Sequence, residues 1–128
     1  MDFIPRTTEN KPIYVQIIDH IKKLITTGEL PLGSRLPSIR KLAKKLNVSA
    51  ITTKRAYEEL EKEKFIITVP SKGSFVAERD IDQIKEGYLK EIEHHMRKIM
   101  VLSDFCGITE DELAMLFHLL RLKDGKVL

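Results

Sequence analysis

The sequence predicts a mostly α-helical protein with one small β-hairpin and a separate helical tail. Three observations support this fold class. Three segments with helical spacing of apolar residues occupy the first 62 positions, and two β-prone segments flank a turn directly after them. A long apolar stripe then begins near residue 81, where the composition changes.

Composition restricts the protein to a few classes. The chain has 128 residues, 42% apolar and 32% charged, which fits one compact domain or a small domain with an appendage. The single cysteine, Cys106, excludes an intramolecular disulfide framework and fits a reducing compartment. No apolar run approaches the roughly 20 residues of a membrane-spanning helix, and no signal peptide is recognisable. We therefore expect a cytoplasmic protein with no membrane partner.

Basic charge is concentrated in one part of the chain. Residues 1–79 contain 15 Lys and Arg against 9 Asp and Glu, whereas residues 80–128 contain 7 against 10. Between Glu29 and Glu58 there are seven basic residues and no acid. Such a concentration is typical of a surface that binds a polyanion, although a solvated basic face would give the same count.

The first two helices are predicted from spacing and end signals. Pro12 suits the first position of a helix whose apolar residues recur every three or four positions, and Gly28 is suited to end it. A loop rich in Gly and Pro follows. Ser38 can cap a second, short helix, in which Leu42 and Leu46 belong to the buried stripe.

Ser49 can cap a third helix after the short connection Asn47-Val48. Two helices joined by so short a turn form a helix-turn-helix unit, whose second helix enters the major groove of DNA. One face of the third helix is predicted to be buried. At 100° per residue, the opposite, exposed face carries Ile51, Lys54, Arg55 and Glu58.

A β-hairpin is predicted directly after the third helix. Phe65–Val69 and Ser74–Ala77 are β-prone, and Pro70-Ser71-Lys72-Gly73 forms the turn between them. Three helices followed by a hairpin with a basic tip are the plan of a winged helix-turn-helix domain. We assign this domain to residues 1–79.

Residues 80–128 are predicted to form a dimerisation tail of two helices. The first runs from Ile81 to about Ser103, and Cys106-Gly107 separates it from a helix that begins with a Thr109/Glu112 capping box. These two helices cannot fully cover each other's apolar faces, which favours pairing with a second copy over packing within one chain. The predicted dimer contacts are Ile84, Tyr88, Leu89, Ile92, Met96, Ile99, Leu116, Phe117 and Leu120.

Ordered motifs in the first 77 residues resemble a known family. They are Pro12-Ile13-Tyr14-Val15-Gln16-Ile17, Gly28-Glu29-Leu30, Gly33, Leu36-Pro37-Ser38-Ile39-Arg40, Leu42-Ala43, Leu46-Asn47-Val48-Ser49, Arg55-Ala56-Tyr57, Leu60 and Lys72-Gly73-Ser74-Phe75-Val76. Over about residues 11–77 the sequence resembles the DNA-binding domain of GntR-type transcriptional regulators, and the short tail resembles the YtrA-type subgroup. The resemblance implies a bacterial, dimeric, operator-binding regulator. Such a protein is usually a repressor, and its target is often a transporter operon.

The expected partner is therefore a double-stranded DNA operator, bound by a homodimer. Arg40 should bind a phosphate or a base edge, Ser49 offers a capped helix N-terminus to a phosphate, and Lys72 can enter the minor groove beside Gly73. The full set of predicted DNA contacts is Arg35, Ser38, Arg40, Lys44, Ser49, Ala50, Ile51, Thr52, Lys54, Arg55, Lys72 and Gly73.

The sequence departs from the family pattern at four positions. Ala50 stands where many relatives have arginine, which removes a hydrogen-bonding group from the tip of the third helix. Lys64 and Ser71 stand where glycine is common, before and within the wing. The proline that is common just before Gly33 has moved to Pro31.

The tip of the third helix has two interpretations. The side chains of Ala50 and Ile51 cannot form a hydrogen bond with a base. They can contact the C5-methyl group of thymine, which is the apolar group that base pairs present in the major groove. Lys54 and Arg55 would then supply phosphate or guanine contacts. Alternatively, Ile51 packs against the second helix or the wing and contacts no base.

Other activities are disfavoured. No cofactor or metal is expected, because the adjacent His94 and His95 point about 100° apart on a helix and no further ligand has suitable spacing. No motif of an enzyme active site is present. The alternative function is a ligand-responsive sensor, in which an effector bound at the dimer seam sets the affinity for DNA. Two helices can hardly enclose a pocket of roughly 300–1,000 Å³ within one chain.

Overall fold

The computed structural model describes residues 4–7 and 10–124. These residues form two compact units, the first ending at Ile84 and the second beginning at Lys85. The elements are α1 (Ile13–Thr26), α2 (Ile39–Leu46), α3 (Ala50–Lys62), β1 (Ile66–Val69), β2 (Gly73–Val76), α4 (Ile81–Cys106) and α5 (Glu110–Lys123). The predicted fold class, a winged helix-turn-helix with a helical C-terminal region, is confirmed.

The core of the first unit lies between α1, α2, α3 and the hairpin. Its fully buried side chains include Ile17 and Ile21 of α1, Leu42 of α2, Leu60 of α3 and Val76 of β2. Each helix contributes residues spaced three or four apart, so one stripe of each faces the common centre. This packing fixes α3 relative to α2 and to the hairpin.

The helix-turn-helix begins with two side-chain caps, as predicted. Ser38 Oγ accepts a hydrogen bond of 3.1 Å from the backbone N–H of Lys41, and Ser49 Oγ accepts one of 3.1 Å from Thr52. Between the helices, Asn47 adopts a left-handed conformation with φ of 56° and ends α2. Asparagine tolerates this conformation better than most residues, which allows so tight a connection.

Tyr57 joins α3 to the segment that precedes α2. Its side chain is buried, and its hydroxyl donates a hydrogen bond of 2.7 Å to the carbonyl oxygen of Pro37. Burial raises the pKa of the Tyr57 phenol well above its usual range, because the phenolate would lose its hydration. The tyrosine therefore stays neutral and holds the N-terminus of α2 beside α3.

The hairpin forms close to its predicted position. Ile66 pairs with Val76 and Val69 with Gly73, so Gly73 opens β2 and the turn is one residue shorter than predicted. The loop before α2 adds to this sheet through a bridge between Arg35 and Phe75. The Ser34 carbonyl accepts a 2.8 Å bond from Val76, which ties this loop to the wing.

Lys64 ends α3 in a conformation that favours glycine. Its φ is 63°, its N–H donates to the Glu61 carbonyl at 3.0 Å, and the N–H of Phe65 donates to Leu60 at 2.9 Å. This pair of bonds is a Schellman motif, whose left-handed residue is usually glycine. Ser71 in the wing turn has a similar φ of 66°. Lys64 and Ser71, which stand where glycine is common in the family, therefore both adopt a left-handed conformation that is strained for a residue with a side chain.

We predict that Lys64→Gly raises the free energy of unfolding. A side chain in the left-handed conformation costs about 1 kcal/mol, so removing it should stabilise the protein by roughly 0.5–1 kcal/mol. Lys62→Gly, inside the last turn of α3, is the matched control and should destabilise by a similar amount. Denaturant unfolding measures both. Destabilisation by Lys64→Gly would contradict the prediction.

The helical tail differs from prediction at both ends of α4. The helix continues to Cys106 rather than ending near Ser103, and Gly107, with φ of 68°, then breaks it. At its start, Ile81 and Ile84 pack against the core of the first unit. Ile84, which the sequence assigns to the dimer seam, is partly buried against this core, and the first compact unit extends to Ile84, whereas the sequence places the domain boundary after residue 79.

The predicted capping box at the start of α5 is present. Glu112 Oε1 accepts a bond of 3.0 Å from the Thr109 N–H, and Thr109 Oγ1 accepts one of 3.2 Å from the Glu112 N–H. The Glu112 carboxylate accepts hydrogen bonds from the Thr109 N–H and, at 3.0 Å, from the Thr109 hydroxyl, and these two bonds lower the pKa of the carboxyl. In the part of the chain that the structure describes, no helix is both long and apolar enough to cross a membrane.

Candidate nucleic-acid interface

The third helix presents one face to solvent and buries the other, as predicted. Thr53, Ala56, Tyr57 and Leu60 are buried against the core. On the opposite face, Ala50, Lys54 and Arg55 are exposed, and Ile51 is 81% exposed. The exposed face begins at the capped N-terminus, which is the end that a helix-turn-helix protein directs at base edges.

Arg55 is held by a residue that sequence reasoning missed. Its guanidinium carbon lies 3.9 Å from the ring centroid of Tyr14 on α1. A stacked guanidinium keeps its N–H edge free, so it can still bind a phosphate while the aromatic ring fixes its plane. Tyr14 belongs to the first quoted motif, but spacing alone does not show that α1 places its ring beside α3.

Lys54 occupies the other side of the exposed face. Its amine lies 3.9 Å from a carboxylate oxygen of Glu58, one turn further along the helix. This distance and the exposure of both side chains make the pair weak, so Lys54 can exchange the carboxylate for a phosphate at little cost.

The tip of the wing brings three predicted contacts together. Lys72 is exposed at the end of the turn, and its neighbour Gly73 has φ of 114°. A Cβ atom added at Gly73 would lie 3.2 Å from Nε of Arg35, so the guanidinium lies directly against the glycine backbone. Any side chain at position 73 would displace Arg35 as well as strain the turn.

A chain of polar side chains attaches the wing to α3. Thr68 of β1 donates a hydrogen bond of 3.1 Å to Glu61 Oε2 of α3, and its hydroxyl lies 3.4 Å from that of Ser74 in β2. These contacts fix the wing beside the recognition helix. Two reading elements on one rigid unit can then engage DNA together.

Most predicted basic contacts are exposed and available for a polyanion. Within residues 4–7 and 10–124, Arg35, Arg40, Lys44 and Lys72 form no ion pair with a carboxylate. By contrast, Lys22 of α1 pairs with Glu63 at 2.8 Å. Unpaired positive charge on α2 and the wing, next to the exposed face of α3, is the electrostatic pattern of a DNA-binding surface.

The described residues offer no alternative site with metal chemistry. No group of three or more His, Cys, Asp and Glu side chains lies close enough together to hold a metal ion. His94 and His95 are exposed neighbours whose ring centroids are 5.6 Å apart.

The fold and this surface define a winged helix-turn-helix DNA-binding protein. Residues 13–76 match the family described as bacterial regulatory proteins, gntR family. The HTH-type transcriptional repressor YtrA of Bacillus subtilis is 31% identical over 102 residues, which cover 80% of this chain and 78% of that protein. The chain therefore belongs to the GntR family of transcriptional regulators, and its similarities are of the YtrA type.

Solved structures agree with this assignment. A GntR family transcriptional regulator from Listeria monocytogenes superposes with a TM-score of 0.68 at 32% identity, over 86% of this chain and 96% of that one. The DNA-binding domain of AraR, solved in complex with operator ORR3, superposes with a TM-score of 0.51 at 26% identity, over 59% of this chain and 93% of that one. Family and fold are those of transcription regulators and not of enzymes.

We predict that the Tyr14 ring contributes to DNA affinity through Arg55. Tyr14→Leu removes the stack and should weaken binding about two- to fivefold for each protomer bound, because an exposed cation–π contact is worth about 0.5–1 kcal/mol. Tyr14→Phe keeps the ring and serves as the control, which should bind like the wild type. Titration of labelled duplex at fixed salt measures all three proteins. Equal affinity of Tyr14→Leu and wild type would show that Arg55 needs no aromatic support.

Proposed function

We propose that the protein is a homodimeric transcriptional repressor that binds an inverted-repeat operator through α3 and the wing of each protomer. Membership of the GntR family supports the DNA-binding activity, and similarity to the Bacillus repressor YtrA supports repression. The observation that carries the dimer is the apolar surface of α4 and α5. Ser103 is the one buried residue of α4, and none is buried among the described residues of α5.

The exposed apolar surface is large and continuous along α4. Ile92 and Met96 lie one turn apart on the same face of α4. Both are apolar, yet they are 53% and 55% exposed. Tyr88, Leu89 and Ile99 continue the stripe with similar exposure. A monomer would leave this surface in water, whereas a second copy covers it with an identical stripe across a two-fold axis.

Helix α5 adds apolar residues beyond those predicted. Leu116, Phe117 and Leu120 are exposed as a group, and so are Met115, Leu119 and Leu122. At 100° per residue these six side chains cover about 220° of the helix surface. One neighbouring helix covers roughly half of that arc, so α5 needs at least two helical neighbours. A dimer whose tails form a shared helical bundle supplies them.

A two-fold dimer fixes the form of the operator. Two copies of α3 related by the axis contact two inverted half-sites, about one helical turn or a multiple of it apart. The protein acts where its operator is, in the bacterial cytoplasm. The resemblance to the YtrA-type subgroup makes a transporter operon the first target to examine.

Sequencing of retained genomic fragments tests this function. The purified chain is incubated with sheared DNA at physiological salt, and the retained fragments are sequenced. We expect an enriched inverted repeat that binds two chains per duplex, as measured by analytical ultracentrifugation. Absence of any enriched sequence would overturn the operator-binding function, and binding of one chain per duplex would overturn the dimer.

A further inference from the structure

A large apolar side chain is exposed at the start of the recognition helix. Ile51 lies in the first turn of α3 and is 81% exposed, and its neighbour Ala50 is also exposed. The interpretation in which Ile51 packs against α2 or the wing is therefore wrong. The described residues of the first unit leave this side chain largely uncovered.

The hydroxyl groups nearest this tip are hydrogen-bonded within the protein. The Ser49 and Thr52 hydroxyls lie 2.7 Å apart, and Ser49 also caps the helix. Arg55 is stacked on Tyr14, and Lys54 lies near Glu58. Arg55 and Lys54 keep donors for phosphates but lie one turn further along α3, so in the first turn the side chains without a polar contact are those of Ala50 and Ile51.

The major groove offers few apolar contacts to such a tip. Each base pair displays hydrogen-bond donors and acceptors there, and only thymine adds an apolar group, its C5-methyl. An isoleucine facing cytosine or guanine would desolvate a polar edge and return no hydrogen bond, which is unfavourable. Facing thymine, it buries apolar surface on both partners.

We propose that Ala50 and Ile51 determine the operator specificity of this protein by contacting thymine methyl groups in each half-site. This inference rests on the proposed operator binding and names what the tip of α3 recognises. The basic residues of α2 and the wing supply affinity through phosphates, and the apolar tip supplies the preference for thymine. Because the dimer is two-fold symmetric, the thymines occur in both inverted half-sites.

Uracil substitution in the enriched operator tests the proposal directly. Uracil lacks the C5-methyl group of thymine and keeps the same base pairing. We expect about a fourfold loss of affinity for each contacted methyl, equivalent to ~0.8 kcal/mol per buried methyl-sized group. Uracil at thymines outside the half-sites is the control and should leave the affinity unchanged.

A double-mutant cycle assigns the effect to Ile51. Ile51→Ala should bind the normal operator more weakly and should lose most of the discrimination against uracil, since protein and DNA changes remove the same contact. Ile4, which is 84% exposed in the N-terminal arm, provides a matched control. Ile4→Ala should retain the full discrimination. Circular dichroism confirms that both variants fold.

Ala50→Arg tests the same position by gain of function. Arginine forms paired hydrogen bonds with O6 and N7 of guanine, so a selection from randomised half-sites should shift from thymine toward guanine at the facing position. If uracil at every half-site thymine leaves affinity unchanged, or if Ile51→Ala discriminates like the wild type, the proposal is overturned. Failure of operator binding itself would appear separately, as no enriched fragment for the wild-type protein.

Discussion

Replacing both Ile92 and Met96 with glutamate should convert the proposed dimer to a monomer in solution. The two side chains are about half exposed in the single chain and lie one turn apart on the apolar stripe of α4. In the dimer they would be buried, and each glutamate would then have to leave water without a partner. An unpaired charge at an interface costs several kcal/mol, so the dissociation constant should rise by at least about a thousandfold.

The controls for this experiment separate the interface from the helix. Lys90→Glu places a new carboxylate on the side of α4 away from the stripe and should leave the dimer intact. We expect α4 to remain helical in the double variant, because like charges four residues apart cost only a few tenths of a kcal/mol. Circular dichroism checks this. Sedimentation equilibrium gives the oligomeric state. A double variant that remains dimeric at micromolar concentration would place the interface elsewhere on the chain.

Arg40→Ala and Lys72→Ala should each weaken DNA binding and make it less sensitive to salt. Binding of a cation to a phosphate releases condensed counterions, so each contact adds about 0.9 to the slope of log K against log salt. A dimer makes every contact twice, and each substitution should therefore lower the slope by about 1.8. Between 50 and 200 mM salt, that difference corresponds to roughly a tenfold change in relative affinity.

These two residues test different parts of the surface. Arg40 is exposed in the first turn of α2, and Lys72 is exposed at the tip of the wing. Lys98→Ala, an exposed lysine on α4, is the control and should leave the slope as in the wild type. Fluorescence anisotropy at four or more salt concentrations provides the slopes. If both variants keep the wild-type slope, the phosphate contacts lie outside α2 and the wing.

Local signals in the sequence were sufficient for most of the fold. Ser38 and Ser49 were predicted as helix caps from their position before apolar stripes, and the structure places both there. The hairpin and the capping box at Thr109 follow from residues that are close in sequence. Such features depend on interactions within one or two turns of the chain, so the amino-acid order alone specifies them.

Backbone strain was partly visible in advance. The absence of glycine at Lys64 and Ser71 was apparent from the family pattern, but its meaning was not. The left-handed φ of both residues shows that these positions require an unusual backbone conformation whichever residue occupies them. The sequence shows that glycine is replaced at these two positions. The structure explains why glycine is common there, because the backbone is left-handed at both.

Contacts between distant segments were decided by the tertiary structure. The stack of Tyr14 on Arg55 joins residues 41 positions apart, and the hydrogen bond from Tyr57 to Pro37 joins residues 20 apart. Ile84 shared the periodicity of the dimer stripe, yet it packs on the first unit because α4 starts against that core. Periodicity identifies the face on which a residue lies and does not identify what covers that face.

The sequence by itself determined the class of this protein, because the helix-turn-helix, the wing and the acid-free basic segment are encoded in local order and composition. Only the tertiary structure decided which side chains remain available to DNA. Exposure depends on packing between helices distant in sequence, and that packing leaves Ile51 uncovered while it brings Arg55 onto Tyr14 and Arg35 onto Gly73. The three-dimensional arrangement of α1, α3 and the wing therefore determines which of the candidate residues can belong to the proposed DNA-contacting surface.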